Sequence, residues 1–108
     1  MSTEFVTPPP VLRLVEATNA GDSTAFLDGF TADGVVDDWG REFAGRDAIA
    51  GWNDNENIGV HSHFTIHQVT QEGSAYAVTV TVEGNGYNGG GTFTFELAED
   101  LVSRLTIR

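Results

Sequence analysis

The chain has no cysteine and no lysine, and none of its apolar runs approaches membrane-spanning length. Without a thiol there can be no disulfide, no thiolate nucleophile and no thiolate metal site. Without lysine the only permanent side-chain cations are five arginines, set against 16 acidic residues for a formal charge of -11. A field of that sign repels nucleic acid and anionic membrane, so neither is an expected partner. It suits a neutral or cationic ligand, and it serves solubility equally well. The first ten residues, M-S-T-E-F-V-T-P-P-P, lack the basic start and apolar core of a signal peptide, so the cytoplasm is the expected location. Gly84-Asn85-Gly86-Tyr87-Asn88-Gly89 spells G-x-G-x-x-G, but it joins two strand patterns where a dinucleotide site needs a helix N-terminus. It reads as a flexible hairpin, and no cofactor is expected.

What is present suits one domain spanning residues 1–108, with 1–7 as a loose arm. Forty per cent hydrophobic residues over 108 positions is enough for a single core. Thr7 and three prolines lead into a helical face of Val11, Leu12, Leu14, Val15 and Thr18, which Asn19-Ala20-Gly21 stops. Asp22 caps a second helix with Phe26, Leu27 and Phe30 on its apolar side, and Gly34 ends that pattern. Val35-Val36 then begins a short strand that closes on Asp37-Asp38 and Trp39. Gly40 turns the chain, Arg41-Glu42-Phe43 runs back, and Gly45 opens a third helix that carries Ile49 and Trp52 on one face. The polar run Asn53-Asp54-Asn55-Glu56-Asn57 reads as a loop able to cover a pocket mouth. From Val60 onward the pattern has period two, with strands expected over 61–71, 75–83, 92–97 and 101–108. Three helices followed by a four-stranded meander make an α+β fold with the sheet curled around the helices.

That order resembles the nuclear transport factor 2-like superfamily, and within it the SnoaL-like and ketosteroid-isomerase-like branch. The resemblance covers nearly the whole chain. It is carried by V-L-R-L-V-E-A-T-N-A-G-D (residues 11–22), F-T-A-D-G-V-V-D-D (30–38) and F-A-G-R-D-A-I (43–49). It implies a cone-shaped, curved antiparallel sheet (cystatin-like) wrapped around three N-terminal helices. It also implies an apolar ligand pocket on the concave face and a homodimer through the convex one, where Thr79, Thr81 and Thr94 lie. The pocket would be lined by Leu14, Phe26, Phe30, Trp39, Trp52, His61, Tyr76, Val78, Val80, Phe93 and Phe95. Helix-spaced aromatics such as Phe26, Phe30 and Trp52 are equally consistent with plain core.

The branch places its general base where Asp38 stands, and SnoaL-like cyclases pair such an aspartate with a pocket histidine, here His63. The catalytic pair implied is therefore Asp38 with His63, the Asp38 carboxyl being desolvated beside Trp39 and raised in pKa. Two departures weigh against steroid isomerisation. The tyrosine that holds the enolate falls at Leu14, and its partner acid falls near Gly91, so both oxyanion donors are missing. His61, His63 and His67 share one strand parity, and H-x-H spacing suits zinc, but no third ligand is identifiable. Arg104 is either a buried pocket cation or, as the commoner case, a surface residue.

Every pocket assignment depends on the register of the 61–71 strand. One register points His61, His63 and His67 inward; the other sends Phe64 and Ile66 inward and the imidazoles out. A one-residue slip interchanges them. We take the first as the expectation. The function expected is a small-molecule pocket protein acting as an acid/base isomerase, cyclase or hydratase on an apolar cyclic substrate. The alternatives are a non-catalytic ligand-binding domain or a dimeric interaction domain of the same fold.

Overall fold

The structure is a computed structural model and describes residues 6–108. Of the expected arm, only Val6 and Thr7 fall within that range. Helix α1 (Pro9–Ala20) begins on prolines, whose missing N–H is harmless in a first turn. It ends where Gly21, at φ 71°, enters the left-handed region and donates to the Thr18 carbonyl, while Asp22 N donates to that of Ala17. Helix α2 (Ser23–Asp28) is capped by the Asp22 carboxylate, which accepts from Ala25 N at 3.0 Å.

Two boundaries depart from the sequence reading. Strand β1 runs Phe30–Asp38, so Phe30 is a strand residue and Gly34 lies within the strand instead of ending a helix. An irregularity in its pairing between Phe30 and Val35 interrupts the period that would have marked it as a strand. After the short β2 (Arg41–Ala44), helix α3 (Arg46–Glu56) continues through the polar run expected to be a loop. Asn53 and Asn57, four apart, both turn inward and are buried. Asn57 Nδ2 donates to Asn53 Oδ1 (3.0 Å) and Thr18 Oγ1 (3.3 Å), and Asn53 Nδ2 donates to Ser23 Oγ (3.1 Å). A satisfied amide network stands where an apolar stripe would advertise a helix.

A 3-10 turn (Ile58–Val60) leads to β3 (His63–Glu72), β4 (Ala75–Glu83), β5 (Gly89–Ala98) and β6 (Leu101–Ile107). The sheet order is β2-β1-β6-β5-β4-β3. All neighbours are antiparallel except β1 and β6, which run parallel and join the early strand pair to the meander. The result is an α+β fold in which a curved, mixed six-stranded sheet encloses three helices. Its core gathers Val11, Leu14, Phe26, Phe30 and Ile49 from the first half with Val78, Val80, Phe95, Val102 and Leu105 from the second. Phe26 meets the Phe30 ring edge-on at 5.3 Å and stacks on Trp52 at 6.3 Å.

The register of β3 is the second of the two readings. Phe64 is buried against Phe93 (5.1 Å, edge to face), Ile66 is half-buried, and His63 and Thr65 are exposed. A bulge at His67 shifts the pairing, so that Val69 resumes the inward face opposite Val78. The expectation failed because hydrophobic burial favours Phe64 and Ile66 inside by roughly 1.5–3 kcal/mol per large side chain. His63 and His67 lie together on the outer face, and His61 falls ahead of the strand.

The choice is reinforced at the sheet edge, where the Asn19 side chain pairs with the backbone of Phe64. Asn19 Nδ2 donates to Phe64 O at 3.0 Å, and Phe64 N donates to Asn19 Oδ1 at 2.7 Å. An amide at the end of α1 thus satisfies both backbone groups of one edge-strand residue. Asn19→Ala is expected to lose about 1–3 kcal/mol of unfolding free energy in urea and to speed hydrogen exchange at the Phe64 amide, read by NMR.

Candidate functional site

Because β1 alternates, Val36 and Asp38 face the helices while Asp37 faces outward. The acidic pair therefore divides between two environments. Asp37 is only 6% exposed and accepts four hydrogen bonds. Oδ1 takes Gly40 N (2.8 Å) and Arg108 Nη1 (3.1 Å); Oδ2 takes Arg104 Nη2 (2.9 Å) and Arg108 Nη2 (3.2 Å). Arg104 also reaches Glu42 at 2.7 Å, which makes it an outer-face cation in an ion network and not a pocket residue. The Arg108 bonds first, then the Gly40 amide and Arg104, lower the Asp37 pKa from 3.8 to about 2.

Asp38 enters a cavity of about 250 Å³. The cavity is lined by Asp38, Trp39, Arg41, Trp52, Glu56, Asn57, Ser62, Phe64, Val82, Tyr87, Gly90, Gly91, Phe93, Ile107 and Arg108. The Asp38 side chain is 15% exposed, and its Oδ2 accepts from Arg41 Nη2 at 2.6 Å and from Trp52 Nε1 at 3.1 Å. Its Oδ1 accepts no side-chain hydrogen bond from the described residues. Arg41 also forks onto Glu56, with Nη2 to Oε1 at 2.6 Å and Nη1 to Oε2 at 2.9 Å, and its guanidinium lies 5.5 Å from the centre of the Phe43 ring. The hydrogen bond from Arg41 lowers the Glu56 pKa, and that to Glu56 raises the Arg41 pKa. The lone desolvated carboxylate expected at 38 is in fact one corner of an Asp–Arg–Glu triad.

Of the residues named from sequence, the structure brings Asp38, Trp39, Trp52 and Phe93 to this cavity. Leu14, Phe26, Phe30, Val78, Val80 and Phe95 are fully buried core instead. They face the right way, but the helices pack over them, and the cavity lies toward the β1–β2 turn. Tyr76 is half-buried in β4, opposite Phe95, and lies outside the cavity lining. His61 is exposed at φ 57°, ahead of β3, and His63 is exposed opposite Glu83. Neither lines the cavity, and the Asp38–His63 pair is not assembled, since Phe64 occupies the inward position. His67 is turned to the outer face, within 2.6 Å of Thr81 Oγ1. Among the described residues, no three His, Asp or Glu side chains gather in a metal-binding geometry.

The unanticipated wall residues had readable origins in two cases. Arg41 follows Asp38 across a two-residue turn, so the two pair directly between strands. Tyr87 sits in the glycine hairpin, which is closed when Asn88 Nδ2 donates to Gly84 O (2.8 Å) and Gly86 O (3.2 Å). Glu56 was hidden by reading its helix as a loop, and Ser62, Ile107 and Arg108 converge only in three dimensions. At the two oxyanion positions the structure has Leu14 in the core and Gly91 on the cavity wall, so neither supplies a donor.

The model of the SnoaL-like domain family matches residues 11–108. The chain belongs to that family. Its architecture is the nuclear transport factor 2-like, cystatin-like fold. A putative polyketide cyclase from Sinorhizobium meliloti is 24% identical with a TM-score of 0.83, over 94% of this chain and 95% of that one. A Δ5-3-ketosteroid isomerase from Mycobacterium sp. is 20% identical with a TM-score of 0.80, over 95% and 93%. A ketosteroid-isomerase-like protein from Catenulispora acidiphila, solved in complex with trimethylamine, is 21% identical with a TM-score of 0.79, over 95% and 86%. No curated protein matches the chain. At these identities the solved structures establish the shared fold.

The outer carboxylate carries a pH signature. A folded-state pKa lowered to about 2 from 3.8 contributes stability that is present above 3.8 and lost as pH falls through 2. Asp37→Asn is therefore expected to melt well below the wild type at neutral pH. The gap should narrow below pH 3.8 and close near pH 2 in paired thermal melts.

Proposed function

We propose that this SnoaL-like protein binds a small, largely apolar molecule containing one or two rings in the cavity beside Asp38. The observation that carries the reading is the wall itself. Trp39, Trp52, Phe64, Tyr87 and Phe93 surround a compact space, and on its wall lies Asp38, whose Oδ1 accepts no hydrogen bond from the described residues. Aromatic walls with polar groups gathered at one side are the usual form of a small-ligand site. Fold relatives named for ketosteroid isomerisation and polyketide cyclisation, and one in complex with trimethylamine, support a small-molecule occupant. Binding without turnover is the better-supported form, because the two expected oxyanion positions hold Leu14 and Gly91 and no histidine lines the cavity among the described residues.

Proton transfer by Asp38 Oδ1 is the second reading, favoured by that same oxygen. A protein-observed NMR screen of ring compounds tests both. Binders are expected to shift Trp52, Ser62, Phe93 and Ile107 together; shifts confined to the outer sheet face overturn the pocket. Deuterium uptake by a bound cyclic ketone, accelerated by the wild type and abolished in Asp38→Asn, would establish the second reading.

We further propose a cytoplasmic homodimer formed through the outer face of the sheet, where Thr79 is exposed and Thr81 and Thr94 are half-buried. No helix among the described residues is long and apolar enough to cross a membrane. Light scattering is expected to report twice the 11.6 kDa chain mass, and a monomer at micromolar concentration overturns the dimer.

A further inference from the structure

Charge sorts what this cavity can hold. Both cations on its wall already have carboxylate partners: Arg41 is shared between Asp38 and Glu56, and Arg108 holds Asp37 with both terminal nitrogens. An anionic ligand would have to compete with those carboxylates. The acceptor side is left unbalanced, because Asp38 Oδ1 receives no side-chain donor from the described residues. The chain around it carries -11, a field that draws cations toward a low-dielectric cleft.

The aromatic mouth points the same way. Trp39 and Gly40, at φ 54° and 91°, form a two-residue turn with both residues in the left-handed region, which ordinarily takes Asn and Gly. A tryptophan there is strained, and at 67% exposure its ring gains little from core packing to offset the strain. Tyr87, 60% exposed, lies on the same cavity wall, its hydroxyl donating to Gly90 O at 2.9 Å. Exposed ring faces beside an open carboxylate oxygen suit a positive charge.

Building on the pocket reading above, we propose that the cavity selects a small ring-bearing ammonium ion. Its charge pairs with Asp38 Oδ1 and meets the Trp39 and Tyr87 rings, and its apolar ring packs toward Phe64 and Phe93. Trp39 is then a specificity-determining residue held in a strained turn for that contact.

The test is an NMR titration at neutral pH with three matched probes: 2-phenylethylamine, 2-phenylethanol and 3-phenylpropanoate. The amine is expected to bind about tenfold more tightly than the alcohol, the sum of a modest ion pair and a cation–π contact, with the carboxylate weakest. Asp38→Asn should erase the amine's advantage over the alcohol. Trp39→Asn, which fits the turn and should melt no lower than the wild type, should reduce the advantage with Asp38 in place. Added salt should weaken the amine alone. If the alcohol binds as tightly as the amine, or the preference survives in Asp38→Asn, the ammonium assignment is overturned and the pocket stands. If none of the three probes shifts the cavity resonances, both fall.

Discussion

The parallel seam between β1 and β6 is the constraint on which the rest of the structure depends. Parallel neighbours cannot be joined by a tight turn, so everything from the β1–β2 turn to the end of β5 must lie between the two strands in sequence. The seam is clamped at one end by Asp37, which reaches the turn through Gly40 N, mid-β6 through Arg104 and the residue beyond β6 through Arg108. Trp39 N closes the same corner on Ile107 O at 3.1 Å. With Asp37 committed outward, the alternation of a strand leaves Asp38 no direction but inward. One carboxylate is a bolt and its neighbour is a cavity wall.

The cavity inherits its place from the same corner. The helices fill the cone at the end occupied by Leu14, Phe26 and Phe30, and the space that remains opens where the β1–β2 turn, the end of α3 and the glycine hairpin meet. Arg41 spans that mouth by holding Asp38 and Glu56 together, which ties β2 to α3. One guanidinium serves two carboxylates, and both hydrogen bonds to Asp38 fall on Oδ2, leaving Oδ1 without a donor among the described residues. Rigid support on one oxygen and openness on the other is the arrangement a selective polar contact requires.

Much of this was legible along the chain. The caps at Gly21 and Asp22, the turn at Gly40 and the alternating apolar residues of β4 and β5 identify their elements through local geometry. The motifs shared with the SnoaL-like family pointed to the architecture that the family match then established. The readings that failed share a cause. Asn53 and Asn57 look like loop residues unless Thr18 and Ser23 are known to face them. The histidines look like an inward face unless Phe64 is known to pack on Phe93.

By itself the sequence determined the fold class, the order of its elements and the presence of Asp38 and Trp39 at a turn. Those properties follow from hydrophobic period, capping and turn chemistry, which act over a few residues and are written in that order. Only the tertiary structure decided which face of β3 turns inward, which member of the acidic pair meets the cavity, and that Glu56 joins it through Arg41. Those outcomes depend on pairings between residues 15 to 71 positions apart, such as Arg41 with Glu56 and Asp37 with Arg108. Such pairings have no signature in a period of two or 3.6, because they are settled by which buried polar groups find partners once the core has closed.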